Sequence, residues 1–156
     1  MAADSAELAR ARGLFEANKF SEAQIAFEKL SASAPSESDV HYYLGRLALV
    51  RGDAHAAVIE LEKAVVLAPD NARDHNALGE AYGRSAEKAG IFGKFSLARK
   101  CVAEFQRAVA LDPNNVGFHE SLFKYYSQAP TFLGGGSSKA AAEAAIIKKL
   151  QPRRAP

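Results

Sequence analysis

The sequence lacks three features that would each indicate a particular class of protein. It contains one cysteine, so an intramolecular disulfide is excluded. No apolar stretch approaches the roughly 20 residues that a membrane-spanning helix needs. Basic and acidic residues nearly balance at a net charge of +2, and the basic residues are spread along the chain rather than clustered. The sequence therefore predicts no membrane span and no nucleic-acid partner.

Runs of β-branched residues are also scarce, whereas alanine is abundant. Alanine has the highest helix propensity, so the composition favours helices throughout. At 156 residues the chain is long enough for one domain with a real core. Its first residues, Met1 to Asp4, form neither the basic segment nor the apolar core of a signal peptide. The sequence leaves the compartment open: cytoplasmic as the sequence stands, or periplasmic or otherwise exported if a leader has been removed.

One sequence pattern occurs three times. Leu61 to Asn71 reads LEKAVVLAPDN, Phe105 to Asn115 reads FQRAVALDPNN, and Phe27 to Glu37 carries a weaker version, FEKLSASAPSE. In each copy a large apolar residue is followed, eight positions later, by a proline. The copies begin 34 and 44 residues apart, so the second interval equals the first plus ten. A period of 34 residues is typical of arrays of helix-turn-helix units.

A second pattern keeps the same intervals, because Leu44-Gly45 recurs as Leu78-Gly79 and then as Leu122-Phe123. Together the two patterns resemble the tetratricopeptide repeat, whose Leu-Gly-Tyr, Ala-Phe-Ala and Pro positions they occupy. The resemblance is carried by Ala23, Phe27, Leu30 and Pro35, by Ala57, Leu61, Ala64 and Pro69, by Tyr82, Cys101, Phe105, Ala108, Pro113 and Tyr126, and, in a divergent fourth unit, by Ala140, Ala144, Ile147 and Pro152.

The resemblance implies an all-α fold, a right-handed α-solenoid of about eight helices in a single domain spanning 1–156. The repeats would occupy about 4–37, 38–71, 72–115 with a ten-residue insertion, and 116–150, followed by a short tail at 151–156. The long third hairpin, Ala129-Pro130, the glycine run that follows and Lys139-Ala140 together resemble a bacterial subgroup of these proteins, whose members commonly carry export signals.

The boundaries of several helices follow from local signals. Apolar spacing predicts a first helix from about Ser5 to Ala17. Ser21 is predicted to cap the second helix, with Gln24 three residues on completing a capping box. Gly52 is predicted to take the left-handed conformation that ends a helix, and Asp53 to cap the helix after it.

The third hairpin contains the ten inserted residues, between Tyr82 and Cys101. Helix-forming sequence on both sides predicts that they lengthen both helices of the hairpin. The tip then contains Ile91, Phe92 and Phe95, and large apolar side chains on a protrusion often mark a contact surface. Equally, Ile91 and Phe92 could fold back to cover a neighbouring helix. The sequence leaves the two interpretations open.

Catalytic and metal chemistry find no support in the sequence. His41, His75 and His119 occupy the same position in three repeats, but a second helix separates equivalent first helices, so the three side chains lie too far apart to share an ion. Packed, hydrogen-bonded histidines are expected instead. Cys101 stands where paired helices touch, which predicts burial rather than reactivity. The sequence therefore predicts no enzyme, no metal site and no cofactor.

The run from Gly134 to Lys139 precedes a helix, as a phosphate-binding loop does. It lacks the Gly-Lys-Ser/Thr order of such a loop and has no strand before it. A tight reversal of the chain is therefore expected here.

Binding is better supported, because the resemblance implies that the first helices line a concave groove. The residues that would face this groove are Leu8, Arg12, Tyr42, Arg46, Leu49, Arg73, Asn76, Glu80, Arg84, Glu120 and Lys124. Arginine binds carboxylates through two parallel hydrogen bonds, so this set suits an extended acidic peptide. For any single arginine a solvated charged face is the simpler alternative. Relatives that clamp the acidic tail of a chaperone have Lys and Asn where this chain has Leu8 and Arg12, so that function is not expected.

A second hypothesis is self-assembly. Stacked repeats need polar caps at their ends. The last helix instead carries more apolar surface than one neighbouring helix covers, at Ala141, Ala142, Ala145, Ile146 and Ile147. This predicts a homodimer through the C-terminal helix pair. The principal prediction is a protein-interaction module whose partner is a protein or peptide of unknown identity, with an acidic partner as one option.

Overall fold

A computed structural model describes residues 5–151 of the chain. Within that range there are eight α-helices, one short 3₁₀ helix and no strand, which confirms the predicted all-α architecture. The helices are α1 (Ser5–Glu16), α2 (Phe20–Ser33), α3 (Ser38–Val50), α4 (Ala54–Leu67), α5 (Ala72–Lys88), α6 (Ile91–Leu111), α7 (Val116–Gln128) and α8 (Ser137–Leu150), with the 3₁₀ helix at Thr131–Leu133. None of these helices is both long enough and apolar enough to cross a membrane. The predictions for Met1 to Asp4, for Pro152 and for the tail beyond Gln151 lie outside the described residues.

The start of α2 differs from its prediction. The helix begins at Phe20, and the residue before it, Lys19, makes no capping hydrogen bond with its side chain. The Lys19 carbonyl already accepts a hydrogen bond from the Ala23 amide at 2.9 Å, and Phe20 packs against Phe15 with ring centroids 5.6 Å apart. The predicted capping box at Ser21 is therefore wrong, because aromatic packing places the N-cap at Lys19, two residues before Ser21.

The turn between α3 and α4 agrees with its prediction. Gly52 has a φ of +77°, the left-handed conformation that glycine adopts without steric cost. The Asp53 side chain accepts a hydrogen bond from the Ala56 amide at 3.0 Å, which satisfies one of the free amides at the start of α4.

The helices form two compact units, divided between Asp70 and Asn71. In the first unit α1 packs on α2 and α3 on α4, while α1 and α2 both contact α3. Phe27 is fully buried and stacks on Tyr43, with ring centroids 4.8 Å apart. The core of this unit consists of Ala11, Ala23, Phe27, Leu30, Val40, Leu44 and Leu47. The single domain expected from the sequence stays a prediction.

The second unit contains the lengthened hairpin. Here α5 packs on α6 and α7 on α8, and α7 contacts both α5 and α6. Helix α5 has 17 residues against 13 in α3, and α6 has 21 against 14 in α4. The insertion therefore lengthens both helices, as predicted, and only Ala89 and Gly90 remain to connect them.

Two glycines allow the paired helices to approach each other closely. A Cβ atom added to Gly45 in α3 would lie 2.5 Å from Cγ of Leu61 in α4. In the second unit, a Cβ on Gly79 in α5 would lie 2.6 Å from the ring of Phe105 in α6. A small residue on the first helix therefore makes room for a large residue on the second, as close packing requires.

The first and last helix pairs show two variations on this arrangement. In the first pair the same positions hold Ala11 and Phe27, both with no exposed surface. In the fourth pair they hold Phe123 and Ala144, and both residues are exposed, so the close contact of a small and a large residue belongs to the first three pairs.

The glycine run between the 3₁₀ helix and α8 closes a tight reversal, as predicted. The amides of Gly134, Gly135 and Gly136 donate hydrogen bonds to the carbonyls of Thr131, Pro130 and Tyr126, respectively, at 2.9 to 3.1 Å. A Cβ on Gly135 would lie 1.8 Å from the Ala129 carbonyl oxygen, so no side chain fits there. Because the turn itself uses these amides, they do not form an anion-binding loop.

Candidate protein-binding surface

The first helices of the four pairs each carry two candidate binding residues, four positions apart. Residues four apart lie on the same side of a helix. The pairs recur at the repeat intervals and are Leu8 with Arg12 on α1, Tyr42 with Arg46 on α3, Asn76 with Glu80 on α5, and Glu120 with Lys124 on α7. We call the four of these residues in each unit the first-helix face of that unit. Six of the eight are half-buried, while Glu120 and Lys124 are exposed.

In the first unit this face is basic and aromatic. The helices that carry it, α1 and α3, are in contact. Arg12 forms an ion pair with Asp39 at the start of α3, a partner that the sequence analysis missed. Tyr42 packs edge-on against Tyr43 with ring centroids 5.0 Å apart, and Arg46 lies one turn further along α3. The ion pair and the ring contact hold the side chains of Arg12 and Tyr42 in place before any ligand binds.

In the second unit the face is mixed in charge. Helices α5 and α7 are in contact. Glu80 accepts a hydrogen bond from Arg84 at 2.9 Å, so these two predicted binding residues form a pair of their own. The Oδ1 atom of Asn76 is buried and has no hydrogen-bond partner among the described residues. Lys124 is the exposed basic residue of this half.

Two other predicted groove residues, Leu49 and Arg73, do not belong to the repeated pairs. Leu49 is only 5% exposed, so it offers little surface to a ligand. The Arg73 side chain donates to the carboxylate of the fully buried Asp74, with Nε and Nη2 both 3.2 Å from Oδ1. Arg12, Arg73 and Arg84 thus all bind carboxylates of the chain itself. The surface is therefore closer to neutral than its arginine content suggests.

The three equivalent histidines are buried, and each is bonded to a glutamate on the paired helix. The Nδ1 atoms of His41, His75 and His119 lie 2.7, 2.6 and 2.6 Å from carboxylate oxygens of Glu60, Glu104 and Glu143, respectively. The histidines are thus packed and hydrogen-bonded, as the sequence analysis expected. Their glutamate partners were not predicted from the sequence, although these recur at intervals of 44 and 39 residues, which are the repeat intervals at this point of the chain.

The His119 pair is favourable for the charged form of the ring. Burial lowers the pKa of His119, but the hydrogen bonds to Glu143 and to the Pro113 carbonyl raise it, and the net result is a pKa above its usual value. Nε2 lies 2.9 Å from that carbonyl oxygen, so both ring nitrogens face acceptors. A histidine with a raised folded pKa stabilises the protein fully below its unfolded pKa, and this contribution is lost as pH rises through the folded pKa.

Changing Glu143 to glutamine should remove this pH dependence. Near pH 6 the variant should lose about 1–2 kcal/mol of unfolding free energy, because a hydrogen bond between charged groups becomes one to a neutral amide. Near pH 8 the loss should be smaller, because less of the wild-type His119 carries a proton there than near pH 6. Urea titrations at both values measure the difference, with His55→Gln, an exposed histidine on α4, as the control. An equal loss at the two pH values would contradict the assignment.

The tip of the third hairpin is exposed. Every residue from Gly90 to Ser96, the segment we call the hairpin tip, is accessible to solvent. Ile91 is 67% and Phe92 88% exposed, so neither folds back over a neighbouring helix. Phe95 packs against Phe132 of the 3₁₀ helix, with ring centroids 5.6 Å apart. Whether the tip is a contact surface stays a prediction.

Cys101 and α8 complete the sequence-predicted sites. Burial raises the pKa of the Cys101 thiol to about 12, so it stays protonated and unreactive at neutral pH. On α8, Ala141, Ala142 and Ala145 are exposed, and Ile146 and Ile147 are half-buried. The homodimer through this helix stays a prediction.

Comparison with known proteins assigns the fold. Residues 8–72 match the family model of the tetratricopeptide repeat. The chain is similar to TTC0263, a thermophilic tetratricopeptide protein of Thermus thermophilus, with a TM-score of 0.77 and 21% identity over 93% of this chain and 73% of that one. It is also similar to MamA, from residue 41 to its end, of Desulfovibrio magneticus RS-1, with a TM-score of 0.68 and 22% identity over 92% and 71% of the two chains.

A third similarity, to the O-GlcNAc transferase of Thermobaculum terrenum, has a TM-score of 0.76 and 20% identity, and spans 92% of this chain but only 25% of the enzyme. No curated protein sequence matches the chain. At such identities a structural likeness shows the fold alone, and the fold agrees with the repeat pattern and with the family match. The described residues therefore have the fold of a tetratricopeptide repeat solenoid, and residues 8–72 match the model of that family.

Proposed function

We propose that the chain is a protein-interaction module that binds a peptide or a partner surface on the first-helix faces of its units. The observation that carries the proposal is the pair of positions repeated on α1, α3, α5 and α7. These positions are mostly half-buried, so the side chains are supported by neighbours while part of each stays accessible. A supported side chain loses less conformational entropy on binding than a free one, which favours affinity.

Acidic groups of the ligand would bind mainly at the first unit. Its face carries Arg46 in addition to Arg12, whose charge Asp39 balances, whereas the equivalent positions of the second unit are Glu80 and Lys124. Tyr42 lies one turn from Arg46 and supplies the rigid aromatic surface that is common at binding hot spots. A ligand segment whose acidic and apolar groups lie close together fits the face of the first unit.

Reversing the charge of Arg46 and Lys124 tests the proposal. The double variant Arg46→Glu, Lys124→Glu should weaken partner binding by about tenfold or more, because like charges then face the ligand. Affinity capture from the source cell's extract with the wild-type chain identifies the partner by mass spectrometry. Titration of the purified partner then measures the loss.

Arg10→Glu is the matched control for this experiment. Arg10 is exposed, and it lies on α1 about 200° around the helix from both Leu8 and Arg12. Arg10→Glu therefore changes the net charge by the same amount as each single reversal, but at a position outside the first-helix face. Circular dichroism melts check that all variants are folded. Equal binding by the double variant and the wild-type chain would remove the first-helix face from the proposal.

A further inference from the structure

The hairpin tip presents an apolar patch to solvent in the second unit. Ile91 and Phe92 are 67% and 88% exposed, and Phe132 of the 3₁₀ helix is 67% exposed. Phe95, which is 38% exposed, connects them through its edge-on contact with Phe132. Ile91, Phe92 and Phe95 lie within about 100° of the circumference of α6, so they share one side of its first turns. None of these residues belongs to the first-helix face.

Positive charge surrounds the patch. Between Glu87 and Lys100 the chain has four basic residues and one acidic residue, a net charge of +3. The whole chain carries only +2, so this segment is more basic than the chain as a whole. Lys88 in the last turn of α5 and Lys94 in the first turn of α6 are both exposed beside the apolar side chains.

We propose that the hairpin tip docks on an anionic lipid surface. Aromatic and aliphatic side chains bordered by lysines are the combination with which peripheral proteins enter the headgroup region of a bilayer. The apolar side chains leave water there, and the lysines bind the negative surface. The patch lies at the end of a lengthened helix pair, so Phe92 and Ile91 reach the lipid without unfolding either helix. No helix crosses the bilayer in this arrangement.

Charge and area favour a lipid surface over a second copy of the chain. Two tips packed against each other would bring net charges of +3 together, which is unfavourable. At about 200 Å² for each large side chain, the exposed fractions amount to roughly 500 Å². A stable contact between two proteins buries about 800 Å² on each partner. A convex patch of this size is better suited to shallow insertion, where lipids conform to the protein.

A tryptophan reporter tests the proposal directly. The chain has no tryptophan, so Phe92→Trp introduces a single fluorophore at the centre of the patch. Its emission should shift to the blue when vesicles of phosphatidylcholine and phosphatidylglycerol are added, and not with pure phosphatidylcholine. Added salt should reverse the shift, because screening weakens the attraction of the lysines to the lipid.

The control is the full chain with its single tryptophan at another exposed position, away from the hairpin tip. Val66 on α4 is 79% exposed, so Val66→Trp should tolerate the larger side chain equally well, yet it should show no shift. In cosedimentation, Ile91→Ser with Phe92→Ser should lower the vesicle partition coefficient about tenfold or more, and Ile25→Ser with Val66→Ser should leave it unchanged. Ile25 is 69% exposed, which matches Ile91.

Three outcomes would overturn the proposal. The first is no shift of Phe92→Trp with anionic vesicles. The second is an equal shift of Val66→Trp, because binding would then not be at the tip. The third is a shift with soluble polyglutamate but none with vesicles, which would make the tip a docking surface for an acidic protein. A shift confined to Phe92→Trp and to anionic vesicles supports the lipid surface.

Discussion

Replacement of Gly79 by valine should lower the free energy of unfolding by about 3 kcal/mol, because the space beside Gly79 does not hold even one more carbon. A Cβ atom there would lie 2.6 Å from the ring of Phe105 and 3.1 Å from the backbone carbonyl oxygen of Cys101. Rotation of Phe105 could relieve the first contact, but the second involves the backbone of α6. Helices α5 and α6 would therefore have to separate. Urea denaturation measures the loss.

Gly13 provides the matched control for this variant. It lies inside α1, and nothing approaches the position of its Cβ within 4 Å. Gly13→Ala should therefore stabilise the protein by about 0.5–1 kcal/mol, because alanine is the better helix former. Phe105→Leu added to Gly79→Val should recover part of the lost stability, because a smaller side chain then faces the valine. A Gly79→Val variant within about 1 kcal/mol of wild type would contradict the packing described here.

Arg73→Glu should lower the free energy of unfolding by about 2–3 kcal/mol, although Arg73 is 37% exposed on its surface side. Its partner Asp74 has no exposed surface, and burial raises the pKa of Asp74 while Arg73 opposes that rise. A carboxyl group with a raised folded pKa costs stability as pH rises above its unfolded pKa. Without Arg73, and with a second carboxylate in its place, this cost grows at neutral pH.

A double-mutant cycle isolates the contribution of the Arg73–Asp74 ion pair to stability. The positions equivalent to Asp74 in neighbouring repeats hold Val40 and Phe118, both buried. Asp74→Val should therefore be tolerated, and in that background Arg73→Glu should change stability by less than about 0.5 kcal/mol. Urea denaturation of the four proteins gives the coupling energy. If Arg73→Glu costs the same with and without Asp74, the buried ion pair is not the cause.

The Arg73 result bears on how the binding surface is tested. A variant that loses a partner because it is partly unfolded carries no information about the surface. Arg73 supports Asp74, so its replacement mixes the two effects. Neither Arg46 nor Lys124 is adjacent in the chain to a buried carboxylate, which is why they are the better choice for the charge reversal.

Most of the fold could be predicted because it rests on periodicity. The intervals of 34 and 44 residues identify the helix pairs, and the extra ten residues identify the hairpin in which both helices are longer. Gly52 and Asp53 were predictable for a similar reason, because each acts through its own backbone or through an amide three residues away. Local chemistry and repeat spacing determine such features.

The features that depend on packing between helices were harder to predict. Phe20 begins α2 because its ring packs against Phe15, which no capping rule anticipates. The pairing of Arg12 with Asp39 requires knowing how α1 and α3 pack on each other. Glu60 and its equivalents are an intermediate case. The repeat intervals relate them to one another, but only the paired helices show that each binds a histidine.

The close contacts of Gly45 with Leu61 and of Gly79 with Phe105 bear on how such a chain could be recombined. Either helix pair, moved as a whole, brings its matched small and large residue with it. A chimera that joined α5 to α8 would set Ala144 opposite Gly79 and leave a void, and one that joined α7 to α6 would set Phe123 opposite Phe105, which needs a glycine there. The interchangeable module of this protein is therefore the hairpin, and a single helix is not a functional part on its own.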